Sequence, residues 1–284
     1  MLKNELETAI ALARRAGESA MEYFAGEVIA EQKLGIDNFY EPVTAADRAA
    51  STIIVEGVAA AFPDDEILSE EEPDDPVRRL AGKRVWIVDP IDGTAGFVRK
   101  DGDFAIQIGL AENGRPVLGV VYLPFYKRIY YAVSGEGAFA ADGGGTAQRL
   151  KVSDTSQFRD MRIALSKNHP AMKEVIDSFD FKKKFDRGSV GLKMGLVAED
   201  TCDLYIHLSA RTKLWDTCGP QAILEEAGGK LTDLYGNEFR YDRADLQNSG
   251  GIVATNGAAH DAVIAHIKPV LEALEDPRSK ARAQ

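Results

Sequence analysis

Residues 85 to 97, Val85-Trp86-Ile87-Val88-Asp89-Pro90-Ile91-Asp92-Gly93-Thr94-Ala95-Gly96-Phe97, decide how the rest of the chain is read. The first four are β-branched or aromatic, the composition of a buried strand. Pro90 has no N–H to give to a ladder, so the strand is expected to stop at Asp89. Asp89 and Asp92 then stand three apart on a turn that Pro90 stiffens and Gly93 tightens, which aims both carboxylates at one small volume. Like charges that close call for a cation between them.

Around this stretch the chain has 284 residues, enough for two modest lobes. The cluster Gly143-Gly144-Gly145 and the polar stretch to about Phe158 mark the expected boundary. It separates an N-terminal metal- and phosphate-binding lobe (1–147) from a C-terminal lobe (148–284) that completes the site. Hydrophobic residues at 45% and charged residues at 28% exclude a disordered or fibrous chain. A formal charge of −11 argues against affinity for a nucleic acid polymer. A small anionic substrate stays compatible with that charge, because a bound divalent cation reverses the local field. Cys202 and Cys218 form no disulfide framework or zinc pattern, which points to a reduced, cytoplasmic setting. No apolar run reaches the ~20 residues of a membrane helix, and acidic residues near the N-terminus do not fit a signal peptide.

Leu2, Leu6, Ile10, Ala13, Ala16, Ala20 and Phe24 recur at helical spacing, predicting a helix over 2–25 that stops near Gly26. A loop through Lys33, Gly35 and Asn38 is expected next. A second helix then opens at Pro42-Val43-Thr44-Ala45-Ala46-Asp47 and runs to about Phe62. Thr44 and Asp47 have capping-box spacing, so Asp47 is either a cap or a group beside a metal. Glu66-Ile67-Leu68 reads as a short strand leading into Ser69-Glu70-Glu71-Glu72; its position just before the central stretch singles out Glu70 from an otherwise ordinary acidic loop. Phe104–Leu110 and Val117–Tyr122 flank Glu112-Asn113-Gly114, a hairpin signal, and Arg128–Val133 reads as a third strand. Gly135-Glu136-Gly137-Ala138-Phe139-Ala140 matches a weak dinucleotide fingerprint, but glycines rather than a helix follow it, so it is read as a turn.

The second lobe is expected to hold strands at 162–166, 204–208 and 251–255. Its helices are expected at 169–179, after a Ser189 cap, at 219–227 and at 260–275, with residues 277–284 a frayed tail. This mixture lacks regular βα alternation and favours layered sheets and helices of the mixed α+β class.

Glu70, Asp89, Asp92 and Asp216 (in Leu214-Trp215-Asp216-Thr217) are hard oxygen donors without a nearby histidine, which favours Mg²⁺ or Mn²⁺ over zinc. Asp89-Pro90-Ile91-Asp92-Gly93-Thr94, with Glu70-Glu71 upstream and Trp215-Asp216 downstream, resembles the inositol monophosphatase superfamily of lithium-sensitive, Mg²⁺-dependent phosphatases. Pro42-Val43-Thr44-x-x-Asp47, Gly188-Ser189-x-x-Leu192 and Glu226-Ala227-Gly228-Gly229 extend the resemblance over nearly the whole chain.

The resemblance implies a two-lobed, layered αβαβα sugar-phosphatase architecture, often dimeric. It also implies a phosphomonoesterase acting on a small phosphorylated metabolite through metal-activated water. By position, Glu70, Asp89 and the Ile91 carbonyl hold one metal, and Asp89, Asp92 and Asp216 a second. A third Mg²⁺ sits near Glu70, and Asp47 and Thr94 order the attacking water. Gly93 and Thr94 open a helix that receives the phosphate. A phosphatase with an aspartate nucleophile is the enzymatic rival, although its two aspartates stand two apart, and a phosphate-binding regulatory pseudoenzyme is the non-enzymatic one.

Gly96-Phe97, where inositol monophosphatases have an asparagine before the phenylalanine, is similar to the 3′(2′),5′-bisphosphate nucleotidases. So are Asp103–Ile108, Leu118–Tyr122 and Ser166-Lys167-Asn168-His169. The expected substrate is 3′-phosphoadenosine 5′-phosphate, ahead of inositol 1-phosphate and fructose 1,6-bisphosphate. Lys193 and Lys167 are candidates to meet a second phosphate, Ser189 and Asp216 to bind substrate. Pro220 is expected in a first helical turn. His207, His260 and His266 are expected to be structural or surface groups.

Overall fold

The computed structural model describes residues 2–166 and 172–275. The chain runs α1 (Lys3–Ala25), β1 (Ala30–Leu34), β2 (Tyr40–Thr44), α2 (Ala45–Ala61), β3 (Glu66–Ser69), α3 (Pro76–Ala81), β4 (Arg84–Asp92) and α4 (Thr94–Arg99). It continues through β5 (Ala105–Glu112), β6 (Arg115–Leu123), β7 (Arg128–Val133), β8 (Gly137–Asp142) and β9 (Gln148–Arg149). Then come β10 (Arg162–Ser166), α5 (Met172–Asp177), β11 (Lys183–Arg187), α6 (Val190–Ala198), β12 (Leu204–His207), α7 (Leu214–Glu226), β13 (Lys230–Thr232), β14 (Ile252–Thr255) and α8 (His260–Glu275).

These elements stack in five layers. Helices α1 and α2 bury a stripe of small residues, including Ala9, Ala13, Ala16, Ala46 and Ala50, against a seven-stranded sheet ordered β3-β4-β5-β6-β7-β8-β9. Helices α6 and α7 form the middle layer, where Leu192, Met194, Cys218 and Ile223 join side chains of both sheets in one core. A five-stranded sheet, β11-β10-β12-β14-β13, follows, and its outer face meets α5 and α8 through Ile163, Val175, Val253 and Val263. The architecture is the mixed, layered αβαβα type read from the sequence.

The middle layer depends on missing side chains. Gly109 and Gly119 face each other across β5 and β6, and α7 passes directly over them. A Cβ on Gly119 would lie 2.1 Å from the Gly219 carbonyl oxygen, and one on Gly109 would lie 2.7 Å from the Gly219 nitrogen. That close approach seats the N-terminal turn of α7, which carries Asp216, against the sheet.

Three expectations change. First, β4 does not stop at Asp89 but runs to Asp92; the register moves from Asp89↔Gln107 to Asp92↔Ala105, so Pro90 and Ile91 together oppose Ile106. This bulge absorbs the proline's missing donor, and the two aspartates sit on a bulged strand rather than a turn. Second, the expected loop through Lys33 and Asn38 is the turn end of an antiparallel hairpin β1–β2, and Pro42–Thr44 close its second strand rather than opening α2, which starts at Ala45. Third, α7 begins at Leu214, which puts Pro220 in the helix interior, where the Asp216 carbonyl loses its helical partner. The Gly135–Ala140 motif is a turn leading into β8, paired with β7, as read. The 277–284 tail and the first residues of the 169–179 helix lie outside the described residues. No described helix is long and apolar enough to cross a membrane.

Candidate active site

The bulge in β4 and the start of α7 meet at the floor of a cleft of about 560 Å³. Oxygen atoms of Asp89, Asp92 and Asp216 lie within 4.8 Å of one another there. The bulge rotates Asp89 and Asp92 to the same side, and Asp216 reaches them as the third residue of α7.

Each carboxylate is held differently. Asp92 Oδ2 accepts from the Ser189 hydroxyl at 2.5 Å and from the Gly191 amide at 2.8 Å. Ser189 in turn takes the Leu192 amide at 3.0 Å as the cap of α6, at a φ of 51° in the left-handed region. Ser189 therefore stands behind Asp92 and orients it, rather than lining the cleft. Asp216 Oδ2 accepts the Lys213 amide at 2.6 Å, capping its own helix.

Asp89 Oδ1 is buried and has no hydrogen-bond partner. Burial, reinforced by Glu70, Asp92 and Asp216, holds the Asp89 carboxyl well above the usual carboxylate range. Burial and Asp92 do the same to Asp216. A buried acceptor without a donor, facing two more carboxylates, fits a hard divalent cation. The donor set of oxygens alone fits the same class of ion.

Glu70 and the Ile91 backbone line the same cleft. Glu70 lies outside the tight trio; Lys33 of β1 donates to it at 2.8 Å and to Glu71 over a shorter contact. Burial raises the Glu70 pKa against the opposing pull of Lys33.

Beside this floor, Thr94 Oγ1 lies 3.0 Å from Asp47 Oδ1 and 3.1 Å from the Ile91 carbonyl. Asp47 Oδ2 accepts both the hydroxyl (2.6 Å) and the amide (2.8 Å) of Thr44. The two readings of Asp47 are thus compatible: one oxygen caps α2, and the other faces Thr94. Burial moves the Asp47 pKa upward even against the Thr44 bonds.

Gly93 precedes α4 with φ 92°, and a Cβ there would lie 2.8 Å from the Asp103 carbonyl, so only glycine turns the chain from β4 into α4. The Thr94 and Ala95 amides open that helix at the cleft, where helix geometry supplies no partner.

Lys193 is not among the described residues lining the cleft and sits one step behind the cleft-lining Ser166. It is buried, with its ammonium 3.1 Å from Ser166 Oγ and 4.8 Å from the centre of the Tyr205 ring, which removes the solvated-surface alternative. Lys167 lies outside the described residues. His260 is structural, wedged between the Thr232 and Thr255 hydroxyls at 3.0 Å each, and burial pushes it down to about 4. His266 packs on Phe158 and Phe179, whereas His207 lines the cleft beside Ser166.

The second wall was missed in the sequence. Glu41 and Pro42 of β2 face Ser209, Arg211 and Lys213 across the opening. Lys213 pairs with Glu41, and Arg211 Nε donates to Asp37 at 3.3 Å. The spacing Lys213-x-x-Asp216, a helix start, was the available signal for Lys213; Arg211 carried none.

The profile described as the inositol monophosphatase family matches residues 1–272. The 3′(2′),5′-bisphosphate nucleotidase CysQ of Salmonella typhimurium is 37% identical over 251 residues, covering 86% of this chain and 97% of that protein. Among solved structures, a Thermotoga maritima IMPase superposes with a TM-score of 0.80 at 30% identity, covering 95% of this chain and 98% of the other. CysQ from Bacteroides thetaiotaomicron gives 0.72 at 30% identity, covering 89% and 97%.

Proposed function

The chain belongs to the inositol monophosphatase family, and from that premise we propose that it removes the 3′-phosphate of 3′-phosphoadenosine 5′-phosphate. As a phosphoric monoester hydrolase it needs an electrophilic anchor for phosphate and a positioned water. The convergence of Asp89, Asp92 and Asp216 around an unpartnered buried oxygen is the observation that carries the reading. The identity to a named bisphosphate nucleotidase over most of both chains directs it to this substrate.

Asp89, Asp92 and Asp216, with Glu70 and the Ile91 carbonyl, would hold the metal. A divalent cation bound there supplies Lewis-acid activation of water and neutralises charge on the phosphoryl oxygens. The chain's own groups do the rest. Ser189 and the Gly191 amide fix the Asp92 rotamer, and the Lys213 amide fixes that of Asp216. With the Thr94 hydroxyl donating its hydrogen bond to Asp47 Oδ1, a Thr94 lone pair is left to accept a hydrogen bond from the attacking water and aim it at phosphorus. The Thr94 and Ala95 amides face the phosphate oxygens from the opening turn of α4. No covalent phosphoenzyme is needed.

The same reading makes Mg²⁺ the working ion, with Mn²⁺ a substitute, in a cytoplasmic homodimer. Residues 1–147 would supply most of the metal set and the β1–β2 hairpin, and residues 148–284 would supply Asp216 and, through Arg211 and Lys213, the cations of the substrate-selecting wall. The test compares kcat/KM with Mg²⁺ for 3′-phosphoadenosine 5′-phosphate, inositol 1-phosphate and fructose 1,6-bisphosphate. The nucleotide is expected to lead by at least about tenfold; a lead for inositol 1-phosphate would reject this substrate while leaving the phosphatase chemistry in place.

A further inference from the structure

A 3′,5′-bisphosphate brings a second dianion into a cleft whose floor is acidic, and that phosphate needs a cation away from the floor. Among the described residues lining the cleft, the lysine and arginine side chains are Lys213 and Arg211. Lys213 is committed: its side chain is 6% exposed, paired with Glu41 and 3.8 Å from Asp37.

Arg211 is placed differently. Its side chain is 47% exposed, its Nε donates to Asp37 at 3.3 Å, and its Nη2 stands 3.9 Å from Glu41, too far for a hydrogen bond. The guanidinium carbon lies 4.9 Å from the centre of the Phe39 ring. A guanidinium offers five N–H groups in a rigid fork that matches phosphate. Asp37 engages one edge and Phe39 supports a face, so the hairpin orients the fork without consuming it.

We propose that Arg211 receives the non-reacting phosphate of the substrate and thereby sets the preference for a bisphosphate over a monophosphate ester. The assignment rests on the bisphosphate reading above. Arg211 lines the cleft itself, whereas Lys193 is buried with its ammonium against the cleft-lining Ser166.

The readout is the ratio of kcat/KM for 3′-phosphoadenosine 5′-phosphate to that for adenosine 3′-monophosphate, which lacks the 5′-phosphate. In the wild type the ratio is expected well above one. Arg211→Ala should lower it about tenfold or more, the size of one lost charge-assisted hydrogen bond, chiefly through KM for the bisphosphate. Arg211→Lys should recover part of it. If Arg211→Ala lowers both substrates by the same factor, Arg211 merely anchors the hairpin and the assignment is overturned; a ratio equal to wild type overturns it too. A wild-type ratio near one would refute the bisphosphate reading itself, and this assignment with it.

Discussion

The two walls of the cleft are built by opposite means. The floor, from the bulged end of β4 and the first turn of α7, is largely buried; the carboxylates of Asp92 and Asp216 are aimed by short bonds to backbone amides and to Ser189, and Asp89 Oδ1 is left without a donor between them. The opposite wall is a hairpin with exposed Leu34, Ile36, Phe39 and Tyr40, tied across the opening by ion pairs from Lys33, Arg211 and Lys213. A buried frame tolerates no displacement and suits chemistry that must place atoms to a fraction of an ångström. Of these cations Arg211 is the half-exposed one, and an ion pair near solvent contributes little and rearranges easily, which suits a group that chooses among substrates. On the function proposed above, the floor sets the reaction and the opposite wall sets what is admitted.

Breaking the floor should have the largest effect. Asp89→Asn removes the unpartnered carboxylate of the trio and, if that trio holds the metal as proposed, should cut kcat on the order of 10³-fold or more with the circular dichroism spectrum intact, since several kcal/mol of charge stabilisation is lost. The same variant has a pH signature. Burial and the neighbouring acids raise the folded-state pKa of Asp89 above its unfolded value. The folded protein then binds more protons than the unfolded chain between the two values, so without metal its stability falls as pH rises through that window. In chelator at neutral pH, Asp89→Asn should melt a few degrees above wild type, and the gap should narrow as pH falls towards about 4. A wild type that melts higher in chelator would remove the electrostatic account of the floor.

Thr94→Ala should cost on the order of 10²-fold in kcat with a smaller change in KM, because it removes the water-directing hydroxyl while leaving the carboxylates in place. An equal loss in metal affinity, measured by titration calorimetry, would show that Thr94 serves the metal frame instead. Lys213→Met should act on the other wall and have the smallest effect: KM rising by less than about tenfold as the hairpin loses its tie to Glu41, with kcat nearly kept. A kcat loss as large as that of Asp89→Asn would erase the distinction between the walls.

The floor was legible in the sequence and the wall was not, for physical reasons. A strand of Val85, Trp86, Ile87 and Val88 ending in acids is anomalous enough to be seen, and the layered order of helices and strands followed from periodicity. The helix cap at Asp47 and a place for the same residue beside the site could not be separated by spacing, because one oxygen caps α2 and the other meets Thr94. Ala30–Leu34 and Tyr40–Thr44 gave no strand signal, since the two strands fully bury only Val43 and Thr44 and the second contains Pro42. The burial of Lys193 was not legible, because helix spacing does not tell which way a lysine points when both neighbouring layers are buried. Pro220 misled because the start of α7 is set by packing over Gly109 and Gly119, which only the fold brings beneath it.

The central claim is that Asp89, Asp92 and Asp216 form one metal-binding floor. Crystals grown with Mn²⁺, with an anomalous difference map collected near the manganese edge, test it most directly. The account predicts a peak in coordination contact with carboxylate oxygens of all three residues, lost in Asp89→Asn crystals grown the same way. A map from well-ordered crystals with manganese elsewhere and none among these three carboxylates would contradict it.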